Sequence, residues 1–157
     1  MISERSKDCP DVIAYPPMVY FGWFGVGLVL EWLIPLHSYA CESSHITGGM
    51  LGFIGTALGF WGVYAFHRAG TNVRPNRPVT ALVTNGPFRF SRNPLYVAMT
   101  VIYLGMTLSL GSWWPLAALI PALAMVHWRI VLREEQFLEN RFGESYRSYK
   151  NRVRRWV

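Results

Sequence analysis

Charge is what this chain has least of. Only 15% of its 157 residues are charged, below the ~25% usual for soluble domains, while 52% are hydrophobic and 15% aromatic. Cysteine is scarce as well. Cys9 and Cys41 stand in no metal-ligand spacing and the four histidines (His37, His45, His67, His127) are scattered, so no structural metal is expected. No Gly-x-Gly-x-x-Gly follows a strand and no phosphate-binding P-loop occurs, which leaves a Rossmann-type nucleotide site unsupported. Lysine and arginine are missing altogether from residues 8–67 and 93–128.

That last absence decides how to read the net charge of +6. Spread over a surface, it would suit nucleic acid. Here the basic residues form three islands: Arg5 and Lys7; Arg68, Arg74, Arg77, Arg89 and Arg92; and eight from Arg129 to Arg155. Between them lie apolar runs at 18–36, 49–66, 95–110 and 113–128. If each run crosses a bilayer, all three islands fall on one side, and the connections at 37–48 and Gly111-Ser112 on the other. That is the positive-inside pattern with both termini cytoplasmic, and it argues for membrane lipid rather than nucleic acid as partner. The last two runs, about sixteen residues each, fall short of the ~20 that span comfortably, so they borrow interfacial residues or meet a thinned bilayer. Cys9 and Cys41 then face opposite sides and cannot pair.

The expected architecture is all-α, a multispan integral membrane bundle of about four transmembrane helices plus a cytoplasmic C-terminal helix, built as a single membrane domain over 1–157. It divides into a cytoplasmic tail (1–17), two spans (18–66), a cytoplasmic connection (67–94), a transmembrane hairpin (95–128) and a cytoplasmic helix (129–157). The first run is too long to be a cleavable signal and lacks a small-residue cleavage site. Glu31 lies within it, near the outer end. An intramembrane carboxylate is a functional hypothesis by default, but this position favours a hydrogen-bonded structural role. Residues 37–48 read as a short polar loop. In the second span Gly55 and Gly59 form a small-xxx-small pair suited to internal helix packing. In the connection, Pro75, Pro78 and Pro87 with Asn72, Asn76, Asn85 and Gly86 forbid regular helix, and 79–84 is β-prone. A link of this length between packed helices is expected to be a lid or binding loop. Pro121 should kink the fourth span.

The connection delivers Arg89-Phe90-Ser91-Arg92-Asn93-Pro94-Leu95-Tyr96. Asn93 is a favoured N-cap and Pro94 fits the first helical position, so a helix starts here beside two arginines. A helix N-terminus with adjacent guanidinium groups suits a carboxylate or phosphate. The competing reading is a plain cap with basic residues touching headgroups. In the tail, Val131, Glu135, Leu138, Phe142, Tyr146 and Tyr149 share one face of a helix, with Glu134 at its edge. A carboxylate on such a stripe needs a partner, either Arg89 or Arg92 as a salt bridge or a cationic ligand. With Phe88, Phe90, Tyr96, Trp128 and Tyr146 nearby, these groups match a ligand carrying a carboxylate, an ammonium and a second cationic centre, as S-adenosylmethionine does.

The stretch Gly86-Pro87-Phe88-Arg89-Phe90-Ser91-Arg92-Asn93-Pro94-Leu95-Tyr96 resembles the Gly-Pro-aromatic…Arg-His-Pro-x-Tyr motif of the isoprenylcysteine carboxyl methyltransferase family, which is related to the membrane phospholipid methyltransferases. Arg133-Glu134-Glu135-Gln136-Phe137-Leu138, then Phe142-Gly143-Glu144-Ser145-Tyr146-Arg147-Ser148-Tyr149 and Arg152-Val153, resembles its second motif. The likeness covers roughly 70–155. It implies an S-adenosylmethionine-dependent methyltransferase that takes lipophilic or lipid-modified acceptors from the bilayer. By position it implies a cofactor site of Arg89, Arg92, Asn93, Pro94, Tyr96, Glu134 and Glu135, with Arg92 and Glu135 as the expected catalytic residues. Asn93 stands where the eukaryotic enzymes carry histidine, and Arg154 replaces the usual proline. Methyl transfer is an in-line displacement, so holding acceptor and donor in line with water excluded should contribute most. An ionised carboxylate acceptor needs no base; an amine or thiol would draw on His127, Glu134 or an arginine-assisted water. The alternatives are phospholipid N-methylation, thiol S-methylation, or a non-catalytic lipid-binding membrane module. A transporter is disfavoured because only Glu31 is ionisable within a span.

Overall fold

The computed structural model describes residues 15–36, 39, 41–71 and 80–157. Cys9, His37, Arg74, Arg77 and all but the last three residues of the 1–17 tail lie outside them. In order come α1 (Pro16–Leu33), α2 (Glu42–Arg68), a 3-10 turn (Gly86–Arg89), α3 (Pro94–Leu110), α4 (Trp113–Val126), a π-helical turn (His127–Val131), α5 (Leu132–Phe142) and α6 (Glu144–Arg152). There is no strand among the described residues, and 80–84, expected to be β-prone, is irregular.

Helix boundaries follow local chemistry. Pro16 and Pro94 sit in the first turns of α1 and α3, where the absent N–H costs nothing. Gly111 ends α3 in the left-handed region at φ 65° and turns the chain straight into α4. The 37–48 loop is shorter than expected, because α2 already starts at Glu42. Its start is set by Ser44, whose hydroxyl accepts from the Cys41 N–H at 2.9 Å, a capping interaction that polar composition alone conceals. The C-terminal segment also differs from one continuous helix. Gly143 at φ 54° breaks it between α5 and α6, and residues 153–157 run on as a non-helical strap.

α2 packs along α3 through Gly48, Gly55 and Gly62, one glycine every two turns. A Cβ on Gly55 would stand 2.7 Å from Ile102 Cγ1 and 2.9 Å from the Ala98 carbonyl, so only glycine permits this approach. Gly59 sits at the seam's margin, 3.7 Å from Ala98 Cβ by the same measure. The internal-packing reading of these glycines holds, with a seven-residue rather than a four-residue spacing. α1 packs on α4, and its Tyr20 hydroxyl lies 2.9 Å from the Thr100 hydroxyl of α3. Tyr103, Leu119, Val126, Ile130 and Val131 complete a core shared by α1, α3 and α4. At the far end the Ser112 hydroxyl donates to Glu31, the structural role its position favoured.

Among the described residues, two stretches are long and apolar enough to cross a membrane, Glu42–Arg68 and the continuous Trp113–Phe142; Pro94–Leu110 is a shorter apolar helix. Their apolar side chains point outward as well as inward. Phe53 is 77% exposed and Phe60 72%. So broad an apolar surface is stable against lipid but not against water. The 30-residue stretch from Trp113 is about 45 Å long at 1.5 Å per residue, against a hydrocarbon core of about 30 Å. If the hydrocarbon begins at Trp113, it is crossed by about Leu132, which would leave Glu134 and Glu135 beyond it.

Candidate functional site

A cavity of about 220 Å³ opens where α3 begins and α5 ends the long helix. One wall is apolar: Tyr15, Pro16 and Pro17 from α1, Phe66 from α2, Leu82 and Val83 from the connection, and Leu95 and Met99 from α3. The other carries Arg92, Asn93, Tyr96, Glu134, Glu135, Tyr146 and Tyr149. The connection between the second and third helices thus contributes to the site, as its length implied.

The two sequence stretches meet here. Arg92, Asn93, Pro94, Tyr96, Glu134 and Glu135 all line the cavity. Arg89 is exposed and outside its lining. Among the expected aromatics, Phe88 and Tyr146 line it too, whereas Phe90 lies against Trp61 with ring centroids 6.3 Å apart. Trp128 and His127 border a separate apolar groove with Trp156, outside the lining of this cavity.

The acidic pair divides into two roles. Glu135 is 6% exposed and closed by two arginines. Arg155 reaches it at two points, Nε to Oε1 at 2.9 Å and Nη2 to Oε2 at 2.8 Å, and Arg92 Nη1 lies 3.1 Å from Oε1. Of the two partners foreseen for this carboxylate, an arginine rather than a ligand is what it has. Glu134 has no arginine within ion-pair distance among the described residues. It accepts from the Tyr96 hydroxyl, which stands 2.9 Å from both carboxylate oxygens. Removal from water pushes its carboxyl up to about 7, against the lowering effect of the Tyr96 bond.

Arg92 is the unsatisfied member. Its side chain is only 8% exposed, yet its Nε has no hydrogen-bond partner among the described residues. Its Nη1, though close to Glu135, has no aligned one either. A buried guanidinium whose N–H groups find no acceptor among the described residues is one that a further acceptor would satisfy. Glu134, in the same lining, is a carboxylate with no arginine or lysine partner among the described residues.

Three contributors were not foreseen. The C-terminal strap crosses the start of α3: the Arg92 N–H donates to the Arg154 carbonyl at 3.0 Å, and Asn93 Nδ2 donates to the Arg155 carbonyl at 3.1 Å. Asn93 therefore occupies the N-cap position without capping, because the strap takes its side chain. Tyr149 donates to the Phe88 carbonyl at 2.7 Å and ties α6 to the 3-10 turn. Arg155 is the third, and only the rule that a buried carboxylate needs a partner pointed toward it.

Comparison with known proteins gives the family. A family model described as phospholipid methyltransferase matches residues 43–145, well over half of the chain. An uncharacterized protein of Haemophilus influenzae is 36% identical over 63 residues, which cover 40% of this chain and 100% of that protein. No solved structure matches the chain. The cavity residues from Phe66 to Leu138 fall within the matched region, Tyr15, Pro16, Pro17, Tyr146 and Tyr149 lie outside it, and the chain belongs to the phospholipid methyltransferase family.

Proposed function

We propose that the protein is an integral-membrane methyltransferase of about four spans, with both termini cytoplasmic, that uses S-adenosylmethionine to methylate a lipophilic acceptor at the cytoplasmic membrane face. The observation that carries this reading is the buried Nε of Arg92, without a hydrogen-bond partner among the described residues, in the lining of a cavity that Glu134 also lines. The three basic islands and their positive-inside placement support the topology.

The residues fit the donor molecule. Arg92 takes its carboxylate, Glu134 its ammonium, and Phe88, Tyr96 and Tyr146 supply faces for a purine or a sulfonium. When bound, that molecule supplies an electrophilic methyl group. The chain contributes by orientation and exclusion of water: Tyr96 fixes the Glu134 carboxylate, and Pro17, Leu95 and Met99 keep the cavity's lipid side dry. With Glu134 holding the ammonium and Glu135 closed by two arginines, no further carboxylate among the described residues of the lining remains to act as base. That favours an acceptor already ionised on arrival, as in carboxyl O-methylation of the isoprenylcysteine type, over a phospholipid amine or a thiol.

Detergent-purified protein should bind S-adenosylmethionine, and Arg92→Ala or Glu134→Gln should weaken binding by about tenfold or more, the worth of a charge-assisted contact. Unchanged affinity in both variants refutes the site as drawn. Membranes given the methyl-labelled donor should place label in a lipid-extractable or lipid-modified fraction. Label released as methanol by mild base marks a methyl ester; label that survives marks N- or S-methylation.

A further inference from the structure

Arg92 faces Glu135, yet the two do not close into a saturated pair. A lone buried arginine and carboxylate would be expected to turn their donors and acceptors fully onto one another. The reason they do not lies twenty residues further on. Arg155 takes both oxygens of Glu135, at 2.9 and 2.8 Å, and leaves Arg92 only the flank of Oε1. The trio carries two positive charges and one negative. Arg92 is the more buried of the two cations, its side chain 8% exposed against 31% for Arg155. The backbone on either side of this contact is held as well. Carbonyls of Arg154 and Arg155 accept from the Arg92 N–H and the Asn93 side chain, so the strap fixes the guanidinium's own chain segment.

We propose that Arg155 is a positioning residue for the methyl-donor site. By occupying Glu135 it keeps Arg92 turned toward the cavity with an uncompensated charge, which makes Arg92 the receptor for the ligand's carboxylate. Arg155 itself touches no ligand. The proposal rests on the assignment of S-adenosylmethionine above and adds what makes Arg92 available to it. It also gives the C-terminal strap a role in the site, outside the region that the family match covers.

The experiment compares binding of S-adenosylmethionine with that of its decarboxylated form, which lacks only the carboxylate. Wild-type protein should prefer the carboxylate-bearing ligand by about tenfold or more. In Arg155→Ala, Glu135 should recapture Arg92 and the preference should shrink to about twofold or less, with the decarboxylated ligand bound nearly as in wild type. Adding Glu135→Gln to Arg155→Ala removes the competitor and should restore the preference, which a merely structural role for Arg155 does not predict. Should Arg155→Ala fail to fold, Arg155→Lys tests the same point. It keeps the charge but loses the two-point grip, and its preference should fall between the other two. A preference in Arg155→Ala or Arg155→Lys equal to wild type overturns the role of Arg155 while leaving the donor assignment standing. Wild-type protein that binds neither ligand overturns that assignment instead, and this inference with it.

Discussion

The hydroxyl of Tyr96, in the first turn of α3, stands 2.9 Å from both carboxylate oxygens of Glu134, so one bond joins the start of the hairpin to the helix that leaves it. Glu134 titrates at about 7 because it is removed from water, and its ionised form is the one that attracts an ammonium. Below that pH, binding must expel a proton. Affinity for S-adenosylmethionine should therefore fall as pH drops from 7 to 5.5, by up to about tenfold per unit, and Glu134→Gln should flatten the profile. Isothermal titration across this range checks both. Tyr96→Phe removes the bond that favours the ionised form, so its midpoint should move to higher pH.

The same shift has a consequence for the unliganded protein. A carboxyl raised above its unfolded value contributes stability that is complete below about 4.5 and lost as pH rises through about 7. Glu134→Gln should accordingly raise the melting temperature more at pH 8 than at pH 5, in detergent and without ligand. A shift equal at both pH values would mean that Glu134 is ionised freely in the folded state.

Arg89 and Arg92 flank the same turn and differ in what they face. Arg92 lines the cavity with an unpaired Nε, whereas Arg89 is exposed and outside the lining. Arg89→Ala should leave donor affinity within about twofold, while Arg92→Ala should cost about tenfold or more. Equal losses in the two variants would show that the whole basic turn, not one guanidinium, holds the ligand.

How far the sequence exposes this arrangement depends on the range of the interaction involved. The start of α3 at Asn93-Pro94, the hairpin turn at Gly111-Ser112 and the burial of Glu135 on an apolar stripe are local or periodic features, and each stands where pattern reasoning puts it. The division of labour within the acidic pair is different. It depends on Arg155, a residue of the strap indistinguishable by composition from its neighbours Arg152 and Arg154. Gly143 breaks the last helix although its position fits the helical period, because a glycine in a periodic run signals a break only when tertiary packing uses it. Likewise the π-helical turn at His127–Val131 leaves no mark in the hydrophobic pattern. The α2–α3 seam was half legible: glycines are visible in sequence, but which of them face the partner helix is decided by contact.

That seam yields a contrast between adjacent residues. A Cβ on Gly48 would stand 2.6 Å from the Gly105 carbonyl and 2.7 Å from the Ser109 nitrogen, both backbone atoms that cannot swing aside. On Gly49 it would meet nothing within 4 Å. Gly48→Ala should destabilise the protein by roughly 1–3 kcal/mol, as overpacking of a tight contact does, and Gly49→Ala by no more than about 0.5 kcal/mol. Thermal unfolding in one detergent distinguishes them. Similar melting temperatures for both variants would mean that α2 and α3 are not held this close.

Glu31 tests the separation of structure from function. Its carboxylate accepts from Ser112, at the turn between α3 and α4, which lies at the opposite end of α3 from Arg92 and Asn93. A side chain that pins α1 to that turn should matter to assembly and not to the ligand. Glu31→Ala leaves the part-buried Ser112 hydroxyl without its acceptor, a loss of about 1–3 kcal/mol that should lower the melting temperature. Donor affinity should stay within about twofold, because the α3 helix between the two ends is rigid and the Arg92–Glu134 cavity is assembled independently of the turn. A large loss of affinity with unchanged stability would instead make Glu31 part of a functional path through the membrane, and the assignment of all ligand chemistry to one end of the bundle would have to be abandoned.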